Sequence, residues 1–219
     1  ENMGEEKKIE YLNCVDLKNN TVLAKHLNQL ADALRSNNNN NGAIKNFSFH
    51  EQNLNSVTWQ PLWDALLVGG VRKVALGNFN NDSNNTNNTI NFTGFRSNTL
   101  IKELRLGYYY MSQQNWKNLF DAIAVNKGLE KLELCDDKVL AKLDLILLFK
   151  QMMRMNTSLL DVSLCYRGTG NQCPDDLQIE IDIQIKLNRM WKRYILRREW
   201  ELKKSSTAAT VITTTNNAE

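Results

Sequence analysis

Two histidines, four cysteines and a few closely spaced charges are the side chains of this sequence that could do chemistry. His26 stands beside the apolar positions of a helix-like segment, and His50 ends a strand-like one. Neither has a Ser, Cys or carboxylate spaced from it to make a nucleophilic triad or a metal site. No glycine-rich loop is present to cradle a phosphate. Glu103 with Arg105, and Lys131 with Glu133, sit two residues apart, the spacing of one solvated strand face rather than of acid–base machinery. The cysteines include no C-x-x-C pair and lie far from both histidines, so neither zinc nor a disulfide framework is indicated and reduced thiols are expected. No cofactor and no enzymatic activity are expected, and the chain reads as cytoplasmic.

The elements that would carry these side chains repeat along the chain. "NTSLLDVSL" places Asn156 three, six and eight residues before Leu159, Val162 and Leu164. The same spacing recurs as Asn98, Ile101, Leu104, Leu106, as Asn126, Leu129, Leu132, Leu134, and as Asn41, Ile44, Phe47, Phe49. Val71, Val74, Leu76 and Ile9, Leu12, Cys14 keep the apolar spacing without the Asn. The six apolar starts, at residues 9, 44, 71, 101, 129 and 159, are 27 to 35 residues apart. Each unit opens with alternating apolar residues, a strand signal, and continues with helical spacing. Leu23, Leu27, Leu30, Ala31 and Leu34 mark one such helix, and Trp116, Leu119, Phe120 and Ile123 another. Ser56 and Ser112 stand where N-caps belong. One strand and one helix cannot bury their own apolar faces, so successive units must stack.

The L-x-x-L-x-L strand, the helix ending in Asn and the period near 28 resemble the ribonuclease-inhibitor-like class of leucine-rich repeats, over residues 6 to about 190. The resemblance implies an α/β fold, a leucine-rich-repeat solenoid with a curved parallel sheet inside and helices outside. Members of that class are chiefly protein-binding scaffolds and inhibitors, with one GTPase-activating branch. It therefore implies a protein–protein interaction module, a scaffold or regulatory domain of a larger protein, with stimulation of a small GTPase as the alternative. At the ninth position of the unit, often Asn in the family, five copies carry Gln52, Phe79, Tyr109, Asp137 and Arg167.

Residues 1–173 are expected to form an array of about six units, interrupted by Asn-rich loops at 37–41 and 80–89. Strand alternation turns the residues between the apolar ones toward the concave side. The candidate partner-binding set is Tyr11, Asn46, His50, Lys73, Glu103, Arg105, Lys131, Glu133 and Asp161, with Tyr108, Tyr110 and Tyr166 on the rim. Cys135 and Cys165 follow the last strand leucine and are expected on the same face. The partner is another protein. A net charge of +3 is too small to argue for nucleic acid, and no apolar stretch is long enough to span a membrane. N-x-S/T triplets, Asn46 and Asn156 among them, are expected by chance in so Asn-rich a sequence. With its first strand near residue 9 and no N-terminal cap evident, the chain is expected to belong to a longer protein.

Residues 174–204 read as one helix through Ile179, Ile183, Leu187, Met190, Tyr194 and Ile195, acidic at its start and basic at its end as the macrodipole favours. "IKLNR" resembles the capping helix of the repeat class, so this segment is expected to lie over the last core layer with Ile179 to Leu187 buried. Ile183, Gln184 and Arg193 match part of the pattern bound by calmodulin-type proteins, although Asn188 and Arg189 depart from it. Residues 205–219 are expected to be a disordered tail.

Overall fold

The computed structural model describes residues 20–39, 44–50, 56–77, 89–107, 111–135, 143–164 and 175–215. Five short strands, β1 (Asn46–His50), β2 (Lys73–Gly77), β3 (Glu103–Gly107), β4 (Lys131–Cys135) and β5 (Asp161–Leu164), form one parallel sheet in chain order. Among the described residues six helices accompany them: α1 (Asn20–Asn39), α2 (Ser56–Val68), α3 (Thr93–Ser97), α4 (Gln113–Val125), α5 (Leu143–Met155) and α6 (Asp175–Thr215). Each helix packs on the next one in the chain.

The repeated leucines fall into line. Phe49 pairs with Leu76, Leu76 with Leu106, Leu106 with Leu134 and Leu134 with Leu164, all without slippage. A slip of one residue would turn every apolar side chain to the wrong face, and that fixes the register. Behind the sheet the helices supply aromatic rings. Trp63 meets Phe92 and Phe95 edge-on at 5.5 and 5.3 Å, and Phe120 meets Phe149 at 5.7 Å. Leu27, Ala31 and Leu34 of α1, and Trp116, Leu119, Phe120 and Ile123 of α4, are buried as their spacing predicts, while Leu30 is partly buried. Ser112 caps α4 by accepting from the Asn115 N–H at 3.2 Å.

The asparagine that leads each unit proves to be a structural part. Asn98, Asn126 and Asn156 are buried at the turn from helix to strand. Each side-chain oxygen accepts backbone N–H groups two and three residues on: Leu100 and Ile101, Gly128 and Leu129, Ser158 and Leu159, at 2.7 to 3.1 Å. Each amide nitrogen donates backward to the preceding unit. Asn98 reaches the Leu67 carbonyl, Asn126 those of Phe95 and Asn98, and Asn156 those of Ile123 and Asn126. One side chain thereby closes its own turn and joins it to the previous one. Where the second unit lacks the Asn, Gly69 and Gly70 make the turn, Gly70 with φ 73°, a conformation that favours glycine. The turns lie so close that a Cβ on Gly128 would come within 2.7 Å of the Asn98 carbonyl oxygen.

Several expectations are corrected or fall outside the described residues. The run at 37–41 is helical through Asn39, because α1 extends to that residue rather than stopping before the asparagines. The first expected strand, near Ile9, and residues 80–88 lie outside the described residues. α3 is a single turn, with Phe95 buried. Ile90 precedes it, buried, with its N–H donating to the side-chain oxygen of buried Asn115 at 2.9 Å. Cys135 is buried, its thiol donating to the Glu133 carboxylate at 3.5 Å, and Gly77 and Gly107 at the same strand position are buried too. Alternation tells which way a Cβ points but not whether solvent reaches it, so the last strand position is not the open concave site expected. Cys165 lies outside the described residues. Asn156, within an N-x-S triplet, has no exposed surface on which a glycan could be carried.

Leaving buried donors and acceptors unmade costs about 1–3 kcal/mol per group in partly compensated sites. Asn126→Ala, which strips partners from two N–H groups and two carbonyls, is expected to lower unfolding stability by about 3 kcal/mol or more. Urea denaturation followed by circular dichroism reads this directly, and a loss under about 1 kcal/mol would deny the asparagine its stapling role.

Candidate binding surfaces

The sheet face turned away from the helices carries two rows of side chains. Asn46, Lys73, Glu103, Lys131 and Asp161 are register partners in one row, and Ser48, Ala75, Arg105, Glu133 and Ser163 in the other. Neighbouring charges pair across strands: Lys73 with Glu103 at 2.8 Å, Arg105 with Glu133 at 3.2 Å and Lys131 with Asp161 at 3.2 Å. The Asp161 carboxylate, by hydrogen bond and by charge, raises the Lys131 ammonium above its usual value, with Glu103 and Glu133 adding to the effect. Exposed pairs of this kind contribute little stability. Their effect is to hold each head group over a fixed strand.

Between the rows runs a groove of about 460 Å³ over β1 to β4, lined by Asn46, Lys73, Glu103, Arg105, Lys131 and Glu133 among others. Six of the twelve candidate residues thus share one surface, and Asp161 joins it through Lys131. Tyr11, Tyr108, Tyr110 and Tyr166 lie outside the described residues, as does the side chain of His50.

A second surface belongs to α6, and here the sequence reading is corrected. Leu177, Ile181 and Ile185 are the buried residues, packed on α5 and β5. The set expected to be buried, Ile179, Ile183 and Leu187, faces solvent with Met190 and Tyr194, each 51 to 64% exposed. The helix carries apolar residues on two faces, and spacing alone does not rank them. Asn188 does. It is buried, donates to the carbonyls of Asn156 and Leu159 at 3.1 and 2.8 Å, and so extends the asparagine series into the helix. Its distance from Asn156, close to the repeat period, was the signal available in the sequence. The helix also continues through Thr215, beyond Lys204, where a disordered tail was expected.

Charges clamp the start of α6. Lys150 of α5 contacts Asp176 at 3.0 Å and Glu180 at 3.2 Å, and Arg154 contacts Glu180 at 2.6 Å. Further along, Arg189 donates to the Leu160 carbonyl and Lys192 meets Glu130 at 3.2 Å. Among the described residues no cluster of His, Cys, Asp or Glu could hold a metal ion, and no helix is long and apolar enough to cross a membrane.

No protein-family model and no curated protein matches the chain. Solved structures of similar shape include one titled leiomodin-1 actin-binding site 2, 14% identical with a TM-score of 0.57, covering 80% of this chain and 96% of that one. Another is a tropomodulin C-terminal domain from Caenorhabditis elegans, 12% identical with a TM-score of 0.53, covering 78% and 97%. At such identities the likeness shows the fold alone, and it is consistent with a leucine-rich-repeat type of α/β fold.

The Lys150 hydrogen bond holds the Asp176 carboxyl below its ordinary 3.8, and the hydrogen bonds Lys150 donates to Asp176 and then Glu180 hold it above 10.5. A depressed carboxylate contributes above its unfolded value and is lost as pH falls through the folded one, while a raised lysine contributes below its unfolded value and is lost at higher pH. The first turns of α6 are expected to be most protected from hydrogen exchange between pH 3.8 and 10.5 and to loosen in stronger acid. Lys150→Met should remove the acid-side dependence, and a profile unchanged by that substitution would locate the clamp elsewhere.

Proposed function

We propose that this chain is a protein-recognition module: a ribonuclease-inhibitor-like leucine-rich-repeat solenoid, closed at one end by α6, that binds a partner protein on the polar face of its sheet. The observation that carries the reading is the groove over β1 to β4, in which Lys73–Glu103, Arg105–Glu133 and Lys131–Asp161 fix a pattern of alternating charge on a rigid support. Side chains already held by neighbours lose little freedom when a partner docks, and charge patterning of this kind selects partners more than it adds raw affinity. Scaffolding is the simplest use of such a surface. The GTPase-activating alternative gains no specific observation from the fold.

Actin is the first partner to try, since one structure of this shape is titled an actin-binding site. In cosedimentation with actin filaments, the chain is expected to pellet, and the Arg105→Glu, Lys131→Glu double variant to bind at least about tenfold more weakly, because each reversal sets a carboxylate against Glu133 or Asp161 and inverts the charge offered to the partner. Pelleting unchanged by the double reversal would take the site off the groove. With no pelleting, the same pair of proteins compared in affinity capture tests the groove: a partner held equally by both counts against it.

A further inference from the structure

An element that ends a stack of repeats ordinarily turns polar side chains outward, because no further unit follows to cover apolar ones. α6, packed on α5 and β5, does the opposite. Ile179, Ile183, Leu187, Met190 and Tyr194 are each more than half exposed. At 100° per residue they fall within about 80° of one another, along about 22 Å of helix. The buried side, Leu177, Ile181, Ile185 and Asn188, lies roughly 150° away, so the stripe looks out in the direction in which another unit would stack. Trp191, stacked on Tyr194 at 5.5 Å, widens it toward the later turns.

Charge indicates what covers the stripe. Residues 175–187 carry Asp175, Asp176, Glu180 and Asp182 against Lys186, whereas residues 188–198 carry Arg189, Lys192, Arg193, Arg197 and Arg198 and no acid. Lys150 and Arg154 answer part of the acidic half, and Glu130 one of the cations, but the contrast between the halves remains. Two such helices laid parallel would set like charge on like. Laid antiparallel about a two-fold axis at Leu187, they set each acidic half on a basic one. In that register Ile183 meets Met190 of the second copy, Ile179 meets Tyr194, and Leu187 meets its own counterpart. Asp182 and Arg193 lie within about 20° of each other on one flank of the stripe, and come opposite one another as two symmetric pairs. The described partner of Asp182 within its own chain is no cation but Gln178, at 3.0 Å. An anionic bilayer would be repelled by the acidic half. We infer that the outer face of α6 is a self-association surface, on which two copies of this chain pair α6 against α6, antiparallel, each covering the end of the other's stack. The residues involved all belong to α6, and the inference is independent of the groove on the sheet.

Sedimentation equilibrium of the full chain reads this directly. A reversible dimer of twice the 25.2 kDa chain is expected. A face one helix wide is small for a specific interface, so its midpoint should lie on the order of 10 µM. Ile183→Glu should weaken the dimer at least about a hundredfold, and Met190→Glu, which strikes the same contact from the other side, should do the same. Both side chains are solvent-facing in the single chain, so circular dichroism should show each variant folded. Asp182→Arg and Arg193→Asp should each weaken pairing about tenfold, and the two together should restore it, since the exchange returns opposite charges to facing positions. Arg105→Glu, which disables the groove, should leave the dimer intact. A chain that stays monomeric to about 200 µM overturns the inference, as does a dimer indifferent to both glutamate variants. Failure of the double exchange to improve on its single changes overturns the antiparallel register. Monomers captured by phosphatidylserine–phosphatidylcholine vesicles through Ile183 would overturn it in favour of a membrane surface.

Discussion

The structure depends on how a backbone turn can be buried. Every passage from helix to strand in this array exposes N–H and carbonyl groups inside the protein, where an unmet hydrogen bond is costly. A single asparagine amide answers both needs, accepting from its own turn and donating to the one before. Because it bridges neighbours, it also sets how far apart the turns lie, and with them the pitch of the whole stack. Asn98, Asn126, Asn156 and Asn188 are thus one continuous hydrogen-bonded seam.

Two consequences run outward from the seam. With turn spacing fixed, strands fall into register and the leucines pack without slippage, so the large apolar strand side chains are committed to the helical side. What remains for the other side is polar, and its charges come to lie opposite one another on adjacent strands. The ion pairs of the groove are therefore a by-product of regular stacking as much as a device for recognition. The same seam orients α6. Asn188 turns Leu177, Ile181 and Ile185 inward and leaves the other apolar face of that helix to solvent.

Much of this was legible in the residues. The spacing from Asn156 to Leu164 and its copies located the described strands, their parallel order and the leucine alignment, because period and alternation are direct readings of backbone geometry. What spacing could not rank was two apolar stripes on one helix, since both satisfy the 3.6-residue period. The deciding residue, Asn188, is polar and so invisible to a search for hydrophobic pattern. Helix ends were also misjudged. Asn37 to Asn39 and residues 205–215 have weak intrinsic preference for helix, yet each continues a helix already begun, and propagation costs far less than nucleation. Burial of Cys135 escaped for a different reason: the direction of a side chain follows from the pleat, but its access to water depends on what lies over the strand end. Among the candidate residues, the charges on successive strands were assigned to one face, though their pairing required knowing the register.

A stiff rod fastened at one end is a lever. With 41 residues, α6 extends about 60 Å, and the fastenings described for it, the Lys150 and Arg154 contacts, Asn188 and the Lys192 pair, lie in the nearer half. Sideways load on the far end is multiplied at the fulcrum, where it falls on two hydrogen bonds to the turn ahead of β5. That last rung is where tension delivered through the helix would first be felt by the stack.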